Sequence, residues 1–343
     1  MSVQTDSAGY LERLSARTKE AIPRILPGMS VAVVLAVTAT FLSEHYGGPT
    51  MLFALLLGIA FHFLAEEGKC AAGIEFTART VLRLGVALLG VRISIDQILN
   101  LGIEPIAIVV FAVAVTTLSG LGFAKLCGRG WRFGILTGGA VAICGASAAL
   151  ALAAVLPKNE FTERNSIFTV IAVTTLSTVA MILYPLIVSA LSLDPEQAGI
   201  FLGGTIHDVA QVVGAGYSMS EQTGDTATFV KLLRVSMLAP VILILSLVFR
   251  KANATGGKTT FPLPAFVIGF AMLVVINSLG WVPDVVREPM VDLSRWCLVS
   301  AIAAIGIKTS LGAMAKLGFQ HIAVVIGETL LLAAMVLLLV IAL

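Results

Sequence analysis

Apolar runs of 18 or more residues recur along this chain from Ser30 to its C-terminus. Apolar segments fall at about 25–42, 49–65, 72–92, 101–123, 131–156, 165–191, 196–219, 227–249, 262–281, 290–307 and 317–342, eleven in all. The links are short and carry turn signals: Gly47-Gly48-Pro49, Pro157-Lys158-Asn159, Asp194-Pro195 and Ala254-Thr255-Gly256-Gly257. Runs of this length predict membrane-crossing helices. One stretch breaks the pattern. Gly199–Met219 is apolar enough to enter a membrane, yet it holds five glycines and, at its middle, His207, Asp208 and Gln211. Glycines weaken a helix, and an ionisable pair in hydrocarbon costs several kcal/mol unless paired or wet. Irregular polar backbone survives at membrane depth only where protein or a water-filled cavity covers it. The stretch therefore reads as one wall of a solute site.

Composition agrees. Of 343 residues, 58% are hydrophobic and 12% charged, half the roughly 25% usual in a soluble domain. No sizeable soluble domain fits. Residues 1–24 read as a short polar cytoplasmic tail and 25–343 as a single transmembrane domain. The net charge of +2 gives no reason to expect a nucleic-acid partner. Cys70, Cys127, Cys144 and Cys297 show no C-x-x-C spacing, so neither a zinc site nor a disulfide framework is expected. No metal or cofactor is predicted.

An internal duplication organises the chain. Arg79–Val110 aligns with Arg295–Ile326 at a shift of 216 residues. Arg79 meets Arg295, Gly90 meets Gly306, Arg92 meets Lys308, Ser94 meets Ser310, and Leu101-Gly102 meets Leu317-Gly318. Segments 2-3-4 thus repeat as 9-10-11. A weaker echo sets Gly134–Gly139 against Gly199–Gly204, at a shift of 65, so 5-6 echo 7-8. The repeats are then about 49–191 and 196–342, circularly permuted. Such repeats mark secondary transporters. If segments 131–156 and 196–219 cross, nine other segments cross with them. If they are re-entrant hairpins, nine cross and all repeated pieces become inverted. The expectation is an all-α polytopic protein with 9–11 transmembrane helices, inverted repeats and two broken helices or hairpins. Basic loops, including Lys125/Arg129/Arg132 and Arg250/Lys251/Lys258, place the N-terminus inside and the C-terminus outside the cytoplasmic membrane.

The matching glycine-rich element, Gly138–Ala148, holds Gly138, Gly139, Cys144, Gly145 and Ser147. Its glycines permit a backbone break, and broken helix ends offer free N–H groups to anions. Close helix packing by small residues is the structural alternative. His207 and Gln211 stand i and i+4 on one helical face, with Gly203 and Gly204 before them. Asp208 either holds His207 charged or takes up a coupling ion. Lys231 and Arg234, at i and i+3, offer charge to an oxyanion. Arg79, Arg83 and Arg295 either touch an anion or pair with Glu75 and Asp292. Glu328 stands near the centre of the last helix, where the first repeat has Ala112, and either pairs with an arginine or carries a proton.

The runs Ile143–Ala148 (I-C-G-A-S-A), Gly203–Val213 (G-G-T-I-H-D-V-A-Q-V-V), Lys231–Arg234 and Gly85–Ser94 resemble the YeiH-like family of inferred sulfate exporters. The resemblance covers nearly the whole chain from about residue 30. It implies a transporter distantly related to cation/proton antiporters and anion symporters built from inverted repeats. The expected partner is a small anionic solute such as sulfate or an organosulfonate, in a lipid bilayer; a homodimer is compatible. The alternatives are a cation/proton antiporter using Asp208 and Glu328, and a membrane-embedded enzyme using His207-Asp208. No enzyme activity is expected, and with no Walker motif an ion or solute gradient is the expected driving force.

Overall fold

A computed structural model describes residues 4–46, 49–66, 68–100, 102–157, 159–249, 265–309 and 319–342. Gly47-Gly48, Leu101, Lys158, the link at 250–264, Ser310 and Leu317-Gly318 lie outside them. Every regular element among the described residues is helical. They are α1 (Gln4–Tyr46), α2 (Thr50–Ala60), α3 (Phe63–Glu66), α4 (Ala71–Phe76), α5 (Leu82–Leu88), α6 (Ile95–Asn100), α7 (Glu104–Leu126), α8 (Trp131–Ala142) and α9 (Ala146–Val155). There follow α10 (Thr162–Ala190), α11 (Pro195–Thr205), α12 (Val209–Met219), α13 (Glu221–Ser236), α14 (Leu238–Val248), α15 (Ala265–Ser278), α16 (Asp284–Lys308) and α17 (Phe319–Ile341). A π-helical stretch (Thr77–Val81) joins α4 to α5, and a 3-10 turn (Leu89–Val91) closes α5. The helix from Gln4 runs straight through the polar segment that the sequence set apart as a tail.

Among the described residues six helical stretches are long and apolar enough to cross a membrane: Ile22–Tyr46, Glu104–Leu126, Thr162–Ala190, Glu221–Val248, Asp284–Lys308 and Ile322–Ile341. Large apolar side chains lie exposed along these helices, among them Val34, Phe111, Leu118, Leu186 and Leu338, as a lipid-facing surface requires and water would not reward. The other described apolar helices are shorter.

The chain forms two compact units, Met1–Gly85 with Arg295–Thr309, and Val86–Ser294 with Ser310–Leu343. In the first, α1 meets α4 where a methyl on Gly28 would stand 2.0 Å from the Cys70 carbonyl oxygen. Likewise α2 meets the end of α16 at Gly58 and Gly306, and His62 Nδ1 lies 2.7 Å from the Ile307 carbonyl oxygen. Glu75 joins Arg79 (2.5 Å) and Lys308. In the second unit Gly90 presses on α15, where a methyl would stand 2.4 Å from the Phe270 carbonyl oxygen.

The second unit also holds both glycine-rich elements, and each is a helix broken in two. Here α8 lies on α7 through Gly120, Gly134 and Gly138: a methyl on Gly120 would stand 2.2 Å from the Gly134 carbonyl oxygen. In turn α11 lies on α13 through Gly199 and Gly203, and on α17 where Gly204 faces Val336. The start of α11 is fixed by a capping box: Asp194 accepts from the Glu196 and Gln197 amides at 2.9 Å, with Pro195 at the first helical position. Ser220 caps α13 through the Thr223 amide, so the chain turns sharply from α12 into α13.

Candidate functional site

The first break is Ile143-Cys144-Gly145, between α8 and α9; the second is Ile206-His207-Asp208, between α11 and α12. Gly145 has φ +62° and ψ −120°, a conformation that a Cβ resists. It sits against His207, since a Cβ on Gly145 would lie 3.4 Å from His207 Cβ. The two breaks therefore touch. Each half-helix of 10 to 12 residues spans about 15–18 Å, half of a bilayer's hydrocarbon core.

Breaking two helices leaves orphaned carbonyls at two C-termini. Arg234 and Lys231, both 0% exposed, satisfy them. Arg234 donates from Nε to Ala142 (3.0 Å), from Nη2 to Val141 and Ala142 (2.9 Å each), and from Nη1 to Gly203 (3.0 Å) and Ile206 (3.1 Å). All five of its N–H groups are thus in use. Lys231 Nζ donates to Ile143 (2.7 Å) and Ile206 (3.0 Å). The counter-charge of the two cations is the negative ends of two helix dipoles, met from one face of α13, together with the Asp208 carboxylate near Lys231. The sequence offered these two residues to a solute; the structure places them as a clamp joining α8 to α11.

The second halves begin differently. Asp208 caps α12 by accepting from the Ala210 amide (2.9 Å), and its own amide donates to Ser177 Oγ (3.0 Å) on α10. At α9 the N-cap residue is Gly145, which carries no capping side chain, and the Cys144 thiol meets the Ala148 amide in the first turn. Its first residues, Ala146 and Ser147, are half-buried and exposed, in a region where 138–145 are all buried. Cys144 is buried within the break.

His207 Nε2 lies 3.0 Å from Thr329 Oγ1, which donates its one proton to the Val325 carbonyl at 2.8 Å. The other side of the ring faces the Val141 carbonyl. Gln211 Oε1 is buried without a partner, and the Gln211 amide reaches Thr178 Oγ1 at 3.4 Å. Asp208 does not bond to His207 Nδ1. Glu328 is 0% exposed, with Oε1 2.7 Å from Thr137 Oγ1.

Of the candidates read from sequence, Cys144, Gly145, Ser147, His207, Asp208, Gln211, Lys231 and Arg234 come together at the breaks. Gly138, Gly139, Gly203 and Gly204 lie just ahead of them, and their missing side chains admit α7, Leu152, α13 and Val336 respectively. Arg79, Arg83 and Arg295 are exposed members of the first unit, and Arg79 pairs with Glu75. Sequence reading missed Thr137, Ser177, Thr178 and Thr329. It also missed a cluster in which Arg92 joins Asp225 (3.1 Å) and Glu221 (2.5 Å), while Tyr217 donates to Asp225.

Residues 27–325 match a family model described as conserved hypothetical protein 698. A UPF0324 membrane protein of Chlorobaculum tepidum is 58% identical over 317 residues, covering 92% of this chain and 88% of that one. Another, of Rhizobium meliloti, is 56% identical over 328 residues, covering 94% and 95%. The chain belongs to the UPF0324 family of membrane proteins. A UPF0324 membrane protein named TauZ, of Paracoccus pantotrophus, is 57% identical over 319 residues, covering 92% and 94%. These matches bear out the family resemblance read from Ile143–Ala148 and Gly203–Val213. Both breaks and the clamp of this UPF0324 protein lie inside the matched stretch; Glu328 falls just past its end. The long apolar helices and the family together make it a multi-pass membrane protein.

Proposed function

We propose that this protein is a secondary transporter that moves a small anion, of the sulfate or organosulfonate class, across the cytoplasmic membrane by alternating access. The observation that carries this is the charge balance where the breaks meet. Each helix end bears roughly half an elementary charge. Two cations face two helix C-termini and one carboxylate, while the N-termini of α9 and α12 add positive ends. The balance is about one positive charge in excess, in a site of low dielectric. The open end of α9 supplies N–H donors, and Ser147 beside it is exposed.

Matching packing supports the repeat. Gly90 packs on α15, in segment 9, and its repeat partner Gly306 packs on α2, in segment 2. Gly120 receives α8, and Val336, which follows it by the same 216 residues, receives α11. On this reading the N-terminus is cytoplasmic and the C-terminus outside.

Thermal-shift measurements on purified protein against sulfate, taurine, phosphate, chloride and sodium test the proposal. Stabilisation by sulfate or the sulfonate, reduced in His207→Ala, is expected; sodium alone stabilising the protein would sink the anion and favour the cation/proton antiporter reading. The enzyme reading draws no support, because the Asp208 carboxylate holds a helix end instead of orienting His207.

A further inference from the structure

The second unit holds another buried polar group, where α17 packs on α7 and α8. Glu328 on α17 faces α7 and α8. Its Oε1 touches Thr137, its Oε2 has no partner, and among the described residues it takes part in no ion pair. From α7, Thr116 Oγ1 and Thr117 Oγ1 are also buried and unpartnered. Both lie within one turn of Gly120, whose absent side chain makes room for the carboxyl: a methyl there would stand 2.9 Å from Oε1.

We infer that Glu328 is a reversible proton-binding site, held in its acid form in this conformation. The lack of compensation argues for it. Thr137 has a single hydroxyl proton, with Oε1 at 2.7 Å and the Phe133 carbonyl at 3.0 Å to receive it, so a carboxylate here gains at most one hydrogen bond and no cation. A carboxylate would leave a bare charge in the interior, which costs several kcal/mol. A neutral acid leaves only one weakly unsatisfied oxygen.

The surroundings make the group special to one half of the molecule. Ala112, 216 residues earlier, is buried at the equivalent place, so the duplicated scaffold does not need a carboxyl there. The elements packed on α17 are α7, α8, α10 and α11. Beside Glu328, α7 presents Gly120 and α8 presents Thr137. Farther along α17, α11 presents Gly204. The titratable side chain bonded to α17 is His207, through Thr329. Adjacent residues of one helix therefore reach both broken helices: Glu328 reaches α8, and Thr329 reaches the second break. A charge appearing on Glu328 must draw in water or move α17, and either disturbs the bond at His207. Under the transporter proposal, on which this last step rests, Glu328 is where a proton drives the anion.

Infrared difference spectroscopy on protein in lipid nanodiscs reads the proton without any solute. Stepping from acid to alkaline pH is expected to remove a protonated-carboxyl C=O band, absent in Glu328→Gln and displaced in frequency in Thr137→Val. A pH-step spectrum unchanged by Glu328→Gln overturns the proton site. Wild-type melting temperature should fall as pH rises, while that of Glu328→Gln holds. In proteoliposomes, Glu328→Gln should lose at least tenfold in pH-driven sulfate accumulation and keep sulfate exchange. Accumulation intact in the variant overturns the coupling. No anion flux in wild type, with the infrared titration intact, overturns the transporter reading and leaves the proton site standing.

Discussion

The two broken helices close their first halves alike and open their second halves differently. Both α8 and α11 end on carbonyls held by the same pair of cations, so the scaffold treats them as equivalents. Beyond the break, α12 begins at a carboxylate that neutralises its dipole, and α9 begins at a glycine, with only the neutral Cys144 thiol set against its first turn, at Ala148. The two broken helices thus share the part that holds them together and differ in the other. Structure lies in the shared clamp, and under the transporter proposal the capacity to bind lies in the difference.

The shared half is the place for the largest effect. Arg234→Ala removes five hydrogen bonds and leaves carbonyls of both helices buried and unpaired. The expected loss is about 3–5 kcal/mol. Cys144, buried in the break, reports it: maleimide labelling in detergent should be slow in wild type and fast in the variant. Slow labelling with an unchanged melting temperature would mean the clamp is dispensable.

Gly145→Ala comes next and tests the unshared half. Its Cβ has room, at 3.4 Å from His207 Cβ, so the strain is in the backbone, at about 1–3 kcal/mol. The position that opens α12, Asp208, has φ −105° and carries no such strain. A thermal scan showing Gly145→Ala as stable as wild type would erase this contrast. Thr329→Val follows, at about 1 kcal/mol, because it removes the hydrogen-bond partner of His207 Nε2. The change should be visible in the nitrogen shifts of labelled histidine.

Much of this was legible in the sequence, for physical reasons. Glycines and ionisable residues in an apolar run are penalised unless the helix breaks, so Gly138–Ala148 and Gly199–Met219 announced both breaks. The i, i+3 spacing put Lys231 and Arg234 on one face. It could not say what that face meets, because the carbonyls of Val141 and Gly203 lie 93 and 31 residues away. The hydroxyls were harder. A threonine in an apolar helix ordinarily bonds back to its own turn, as Thr178 does to the Thr174 carbonyl, and so gives no sign of the second bond it makes to Gln211. The link from Arg92 to Asp225 spans 133 residues and shows no local pattern.

The smallest change in stability tests the comparison most sharply. Asp208 does two things at once: it accepts the Ala210 amide, and it places a negative charge beside the cations. Asparagine caps a helix about as well as aspartate, whereas alanine loses about 1 kcal/mol of capping. Asp208→Asn should therefore melt within a few tenths of a kcal/mol of wild type, and Asp208→Ala about 1 kcal/mol below it. Both variants lack the charge, so the positive excess at the breaks grows equally in the two. If the open end of α9 receives an anion, sulfate should bind more tightly to both, with the same gain. A gain in Asp208→Ala alone would point to a second anion seat at the newly uncapped α12. A loss in both would mean that the carboxylate itself serves the solute, and the two breaks would then be partners in binding instead of opposites.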